Sequence, residues 1–312
     1  MKALNRFLLL TMLVPFATAC TEQMNFAQSG SPVADLAATS PTTSPQSPTL
    51  STPLVPTPTH PVAVANPAPS CPVGQTQTVA KATKILFLVD TSGSNNSPTD
   101  STGTYVCDPT TAVCLMPTDP NKVFRGGAIT NFFNEYSSHT NIQWGFSTFS
   151  GTIAQSMILN PNSQPVFSSD PTQMQTAITA FMKSTDGGAT PFHSALQLAT
   201  QMIQGDPDLN SAAKPNYYVI MITDGFPTDY TSSTGTFELS NLEADIENLV
   251  ALSPSQVTLS TVYYGASSVP GAISLLETMA SNGIGDGQFA NENGANPSFK
   301  ISDIVTIPIT CQ

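Results

Sequence analysis

Five oxygen-bearing side chains on three separated stretches carry the chemistry this sequence offers. Asp90, Ser92 and Ser94 occupy alternate positions at the end of KILFLVDTSGS, residues 84–94. Asp224 ends a second apolar run, NYYVIMIT at 216–223, and Thr190 lies in GGATP at 187–191. Small oxygen ligands without His or Cys suit a hard divalent cation. A carboxylate at the mouth of a buried strand is costly to desolvate unless a cation or a set of donors meets it. Two carboxylates and three hydroxyls can hold one such ion and leave it electrophilic, with an open position that a visiting carboxylate can fill. Each stretch also has a plain reading. Thr190 ahead of Pro191 is a good helix N-cap, Ser92 and Ser94 suit a turn, and Asp224-Gly225 alone is an ordinary turn.

The elements that position these residues follow from hydrophobic period. Residues 84–89 and 216–223 are continuous apolar runs, as strands buried on both faces require. Further strands are expected at 141–149, 152–159 (at an edge), 256–263 and 287–290. Helices are expected at 122–136, with Phe124, Ala128, Phe132 and Tyr136 inward, and after the capping box Asp170-Pro171-Thr172-Gln173, with Met174, Ile178, Phe181 and Met182 inward. A third runs from Phe192 to about Ile203, a fourth is capped by Ser240-Asn241-Leu242-Glu243, and a fifth covers 272–281, ending near Gly283. Gly126-Gly127 suggests a close approach of the first helix to the sheet. Strands alternating with amphipathic helices give an α/β fold, a Rossmann-like, doubly wound, mainly parallel sheet with helices on both faces. Ligands bind such sheets beyond the carboxyl ends of the strands, where Asp90, Thr190 and Asp224 would meet.

DTSGS after KILFLV, GGATPFHSAL, and YYVIMITDGFPTD resemble, in order, the three segments of the metal ion-dependent adhesion site (MIDAS) of von Willebrand factor type A (vWA) domains. Asp90, Ser92 and Ser94 match its DxSxS, Thr190 its loop threonine, and Asp224 its strand-end aspartate. The resemblance covers the chain from about residue 83 onward. It implies Mg2+ or Mn2+, sometimes Ca2+, and a protein ligand whose acidic residue completes the coordination. It also implies that the hydroxyls bind directly while one or both aspartates act through water. The departure is an insertion at 95–120, where relatives start their first helix soon after DxSxS. An enzymatic alternative, a metal-dependent phosphohydrolase, would want a second aspartate two residues after the first, where Ser92 stands and cannot act as a general acid at neutral pH. The chain is therefore read as a binding module and not an enzyme, with a purely structural envelope protein as the other alternative.

Charge and export signals agree with that reading. The 312 residues carry 9 basic and 21 acidic side chains, net −12, which argues against a nucleic-acid partner. Lys2 and Arg6 precede an apolar stretch at 7–16 and Ala17-Thr18-Ala19-Cys20, the layout of a secretory signal at 1–19. Cys20 resembles the lipidated cysteine of a bacterial lipobox, although Ala17 stands where leucine is usual; ordinary cleavage is the alternative. Thr21 after Cys20 favours the outer membrane by resemblance to Gram-negative sorting signals. Residues 20–70 are a Pro/Ser/Thr-rich linker, and 71–312 the folded domain. Cys71, Cys107, Cys114 and Cys311 remain, an even number that reads as disulfides in an exported chain. Of three pairings, Cys71–Cys311 brackets the folded part and Cys107–Cys114 staples the insertion. vWA domains with cysteines at both ends support the first by analogy. Asp206-Pro207-Asp208-Leu209-Asn210 only mimics a calcium loop and is read as a surface loop. His193, His139 and Trp144 are expected to play local or core roles.

Overall fold

The structure is a computed structural model that describes residues 77–79, 81–96, 117–232, 235–265, 271–292 and 298–311. The signal, Cys20, the linker, Cys71, Cys107, Cys114 and most of the 95–120 insertion lie outside the described residues. Strand β1 (Gln77–Val79) precedes β2 (Thr83–Asp90), and helix α1 (Val123–Tyr136) leads to β3 (Ile142–Ser150) and β4 (Ile153–Ser156). Helices α2 (Pro171–Lys183) and α3 (Phe192–Gln204) precede β5 (Asn216–Thr223). Then come α4 (Leu239–Val250), β6 (Val257–Tyr263), α5 (Ala272–Ala280), β7 (Asp286–Asn291) and β8 (Ile309–Cys311). Six strands form one sheet in the order β4-β3-β2-β5-β6-β7, and β1 pairs with β8 in a separate two-stranded ribbon. All neighbours in the large sheet are parallel except β3 with β4, so the expected edge hairpin is present.

β2 explains the layering. Every residue of it is buried, and strand alternation sends its side chains to two different cores. Ile85, Phe87 and Val89 join α1, α2 and Ile301, Ile304 and Val305 of the C-terminal segment. Leu86 and Leu88 join α3, α4 and α5 on the other face. Trp144 is a core residue, its ring 5.2 Å from Phe133 and edge-on to it.

Four local expectations are corrected. Asp170 caps α2 by accepting from Thr172 N at 2.8 Å, but its own amide donates to Ser168 Oγ, so Gln173 does not complete a capping box. Met182 is 41% exposed, and Ala177 takes the buried place beside Ile178. Met182 lies instead over Gly126, where an added Cβ would sit 2.3 Å from its sulfur. The glycine therefore serves helix–helix contact, not helix–sheet contact, and Gly127 has open space. In α4 the cap position is Glu238, not Ser240, because Glu238 N donates to Tyr230 O and turns the chain one residue pair earlier.

The 206–210 loop is also more than surface. Asp206 is buried and receives Lys84 Nζ at 2.6 Å and Tyr217 hydroxyl at 2.7 Å, while Asp208 meets the same ammonium at 2.8 Å. Lys84 enters the sheet at the end of β2 opposite Asp90, and only this cluster makes its burial tolerable. Removing one partner of a buried pair strands the other charge, at about 3–5 kcal/mol. Lys84→Ala should lose that much in chemical denaturation; a loss within the noise of a surface mutation would contradict a buried, paired Lys84.

Candidate metal centre

At the carboxyl end of β2 the backbone turns over a small 3-10 segment, Gly93–Asn95, and brings Asp90, Ser92 and Ser94 to one side. Asp90 Oδ1 accepts from Ser92 N at 2.7 Å, an Asx-type closure of the turn. Asp90 Oδ2 accepts from Thr223 Oγ1 at 2.6 Å. That contact follows from register: Val89 faces Ile222 in the parallel β2–β5 pair, so Thr223 comes next to Asp90. One residue on, Asp224 accepts from Ser94 Oγ at 2.9 Å through Oδ1. Ser92 and Ser94 hydroxyls are 3.1 Å apart. Hydroxyls thus connect the two aspartates within one small volume.

The third stretch arrives through backbone hydrogen bonds. Gly93 N donates to Gly188 O and Gly187 N to Thr91 O, both at 2.8 Å, and Gly151 N donates to Ala189 O at 2.9 Å. Gly188 adopts φ +81°, and a Cβ there would lie 2.8 Å from the backbone of Gly151. Thr190 is held by its main chain: its amide donates to Thr228 Oγ1 at 3.1 Å and its carbonyl accepts from Thr228 N at 3.0 Å. The cap position of α3 is Pro191, without a side-chain cap. The N-cap reading of Thr190 is thereby overturned, and among the described residues its hydroxyl makes no hydrogen bond. A Cβ on Gly225 would lie 3.3 Å from Thr190 Oγ1, which sets that hydroxyl beside the Asp224 turn. All five expected residues therefore converge at one sheet edge.

The electrostatics of the cluster are adverse without a positive charge. Asp90 is fully buried and Asp224 nearly so. Burial, then the charge of Asp224, raises the Asp90 carboxyl from 3.8 to about 7, against the pull of hydrogen bonds from Thr223 and Ser92. The donor set, two carboxylates with three hydroxyls, fits a hard cation and no other common metal class. No group of three or more His, Cys, Asp or Glu forms among the described residues, so any ion here would depend on the hydroxyls.

Two participants gave no sequence signal. Thr118, at the end of the insertion, donates through Oγ1 to Asp224 Oδ2, and its amide donates to Ser94 O at 3.2 Å. Arg125, fully buried in the first turn of α1, donates to the Asp90 carbonyl and clamps Asp119 at 2.8 Å and Asp186 at 2.8 Å. Asp119 also accepts from Phe124 N at 2.8 Å, and Lys122 Nζ lies 3.0 Å from Asp186. Behind Arg125, burial pushes the Tyr264 phenol well above its usual range; its hydroxyl stays protonated and donates to Asn95 Oδ1 at 2.6 Å. Only a parallel pairing of β2 with β5 could have pointed to Thr223. Nothing in composition or spacing marks Thr118 or Arg125.

Strand order, the lone antiparallel edge strand and helices on both faces make this a vWA-like α/β fold. No protein-family model matches the chain, and no curated protein matches it. Similar solved structures include a von Willebrand factor type A protein from Catenulispora acidiphila, at 15% identity and TM-score 0.40, covering 64% of this chain and 37% of that one. The manganese-loaded TRAP protein of Plasmodium vivax is 15% identical with TM-score 0.45, over 76% of this chain and 78% of that one. The PilB minor pilin from Streptococcus sanguinis is 15% identical with TM-score 0.44, over 70% and 58%. The chain thus spans less than two thirds of the pilin and of the Catenulispora protein.

Two outcomes are expected. In the cation-free protein, folded Asp90 keeps a proton between 3.8 and about 7 that the unfolded chain releases. This group's contribution to stability is then fullest below 3.8, falls as pH rises through that window and levels off above it. Melting temperature against pH with chelator present, for wild type and Asp90→Asn, reads the difference; parallel curves would contradict it. Gly188→Ala should cost about 1–3 kcal/mol through left-handed strain and more from the clash with Gly151, where Gly127→Ala should cost nothing.

Proposed function

We propose that this chain is a non-enzymatic binding module of a bacterial envelope, in which Asp90, Ser92, Ser94, Thr190 and Asp224 hold Mg2+ or Mn2+, or Ca2+, at a MIDAS-type centre. The observation that carries the reading is the convergence of two buried, mutually repelling carboxylates with hydroxyls at one sheet edge. When bound, the cation supplies a positive, incompletely coordinated position; an acidic side chain of a protein partner completes it. The chain's own residues orient the donors. Ser92 N and Thr223 fix Asp90, Ser94 fixes Asp224, and the glycine-rich turn at 187–188 ties Thr190 in place.

The same reading includes the tether. Cys20 is lipidated and anchors the domain to the outer membrane through the 20–70 linker. Cys71 pairs with Cys311 and Cys107 with Cys114. Support for the first pair is that Cys311 is disulfide-bonded and stands opposite Gln77 in the β1–β8 ribbon, six residues along from Cys71.

Binding of a glutamate-containing peptide or of an envelope partner should require the cation, vanish in EDTA, and fail in Asp90→Ala. At a Mg2+ concentration about a hundredfold above Kd, wild type should gain about 2.7 kcal/mol of stability. Asp90→Ala should gain none. Binding that ignores both chelator and the substitution refutes the proposal, while cation stabilisation without any acid-dependent binding would leave a purely structural ion.

A further inference from the structure

Thr118 treats Asp224 as Ser94 does. Ser94 Oγ donates to one carboxylate oxygen at 2.9 Å, and Thr118 Oγ1 donates to the other. The short strap that carries Thr118 is fixed on both sides. Its amide donates to Ser94 O, and the next residue, Asp119, receives Phe124 N and Arg125 Nε, each at 2.8 Å. The Thr118 hydroxyl faces three acceptors: Asp224 Oδ2, Ser94 O at 3.1 Å and Asn95 Oδ1 at 3.4 Å. A hydroxyl has one proton and two lone pairs. Asn95 Oδ1 already receives the Tyr264 hydroxyl, and Ser94 O the Thr118 amide. The single Thr118 proton therefore belongs to the carboxylate. What remains is a group of oxygens richer in lone pairs than in protons, with the Thr118 oxygen among them. A surplus of that kind is what an oxygen-seeking cation relieves.

We propose that Thr118 is a further cation-binding hydroxyl of this centre, contributed by the end of the insertion and not by any of the three stretches that carry the five-residue set. The inference rests on the cation reading of the five-residue set and adds a sixth oxygen to it. An ion held from the insertion side as well as from the three loops has fewer positions left to a visitor. Thr118 then governs both how tightly the ion is held and how much room a partner's carboxylate finds.

The test is Mn2+ titration of the full chain, with free ion read by electron paramagnetic resonance. Thr118→Val keeps the shape and removes the oxygen; Thr118→Ser keeps the oxygen. Loss of one supporting group should raise the Mn2+ Kd about tenfold in Thr118→Val, with Thr118→Ser close to wild type. Cation-free melting shows that each variant is folded, and Thr118→Ala stands in if the valine variant is not. Thr118→Val or Thr118→Ala binding Mn2+ as tightly as wild type, or more tightly, overturns the assignment; the tighter result would make Thr118 a competitor of the ion. Asp90→Ala separates the two layers. If it binds Mn2+ as well as wild type does, the five-residue reading itself falls. If it is impaired while Thr118→Val is not, Thr118 alone is removed.

Discussion

Two like charges brought together out of water are the constraint around which this molecule is arranged. Asp90 and Asp224 sit at the ends of adjacent buried strands, and each is almost wholly removed from solvent. Left alone they would repel, and burial would neutralise at least one of them. The surrounding hydroxyls and amides moderate that repulsion with single hydrogen bonds. A divalent ion would cancel it outright, which is why the same geometry that makes the edge unfavourable when empty makes it receptive.

A centre of this kind needs its loops held at fixed separation, and the support lies behind it. Arg125 reaches the Asp90 carbonyl from the first turn of α1 and ties in Asp119 and Asp186, which flank the ends of two different segments. Its guanidinium also lies over the rings of Phe181 and Tyr264 at 5.6 Å. A planar, permanently charged fork suits this task where a lysine would not, because several acceptors in different directions must be met from one side chain. Backbone hydrogen bonds between the 91–93, 151 and 187–189 turns complete the bracing. Among the described residues, Thr190 reaches the cluster with no hydrogen bond on its hydroxyl.

The parts of this architecture that obey a period were legible in the sequence. β2 and β5 are unbroken apolar runs because both faces are covered, and the strand-end aspartates stand out against them. The helical stripe of α1, Phe124, Ala128, Phe132 and Tyr136, also matched burial. What failed was the edge of a stripe on one helix: Met182 lies over Gly126 of the neighbouring helix and stays partly exposed, while Ala177 is buried. The Ser240 signature was locally sound but lost to the hydrogen bond from Glu238 to Tyr230. Thr118 and Arg125 were invisible for a different reason. Thr118 meets Asp224 across 106 positions, and Arg125 meets Asp186 across 61, so no local pattern encodes either contact.

The ribbon of β1 and β8 carries a mechanical consequence. It pairs Gln77 with Cys311 and Val79 with Ile309, and Asn141 at the start of β3 secures Val79 through its side-chain amide. Both strands therefore dock near the amino ends of the central strands, at the pole away from Asp90 and Asp224. A pull on the chain ahead of Gln77 loads this small clasp first and reaches the carboxylate edge only through the whole length of the sheet.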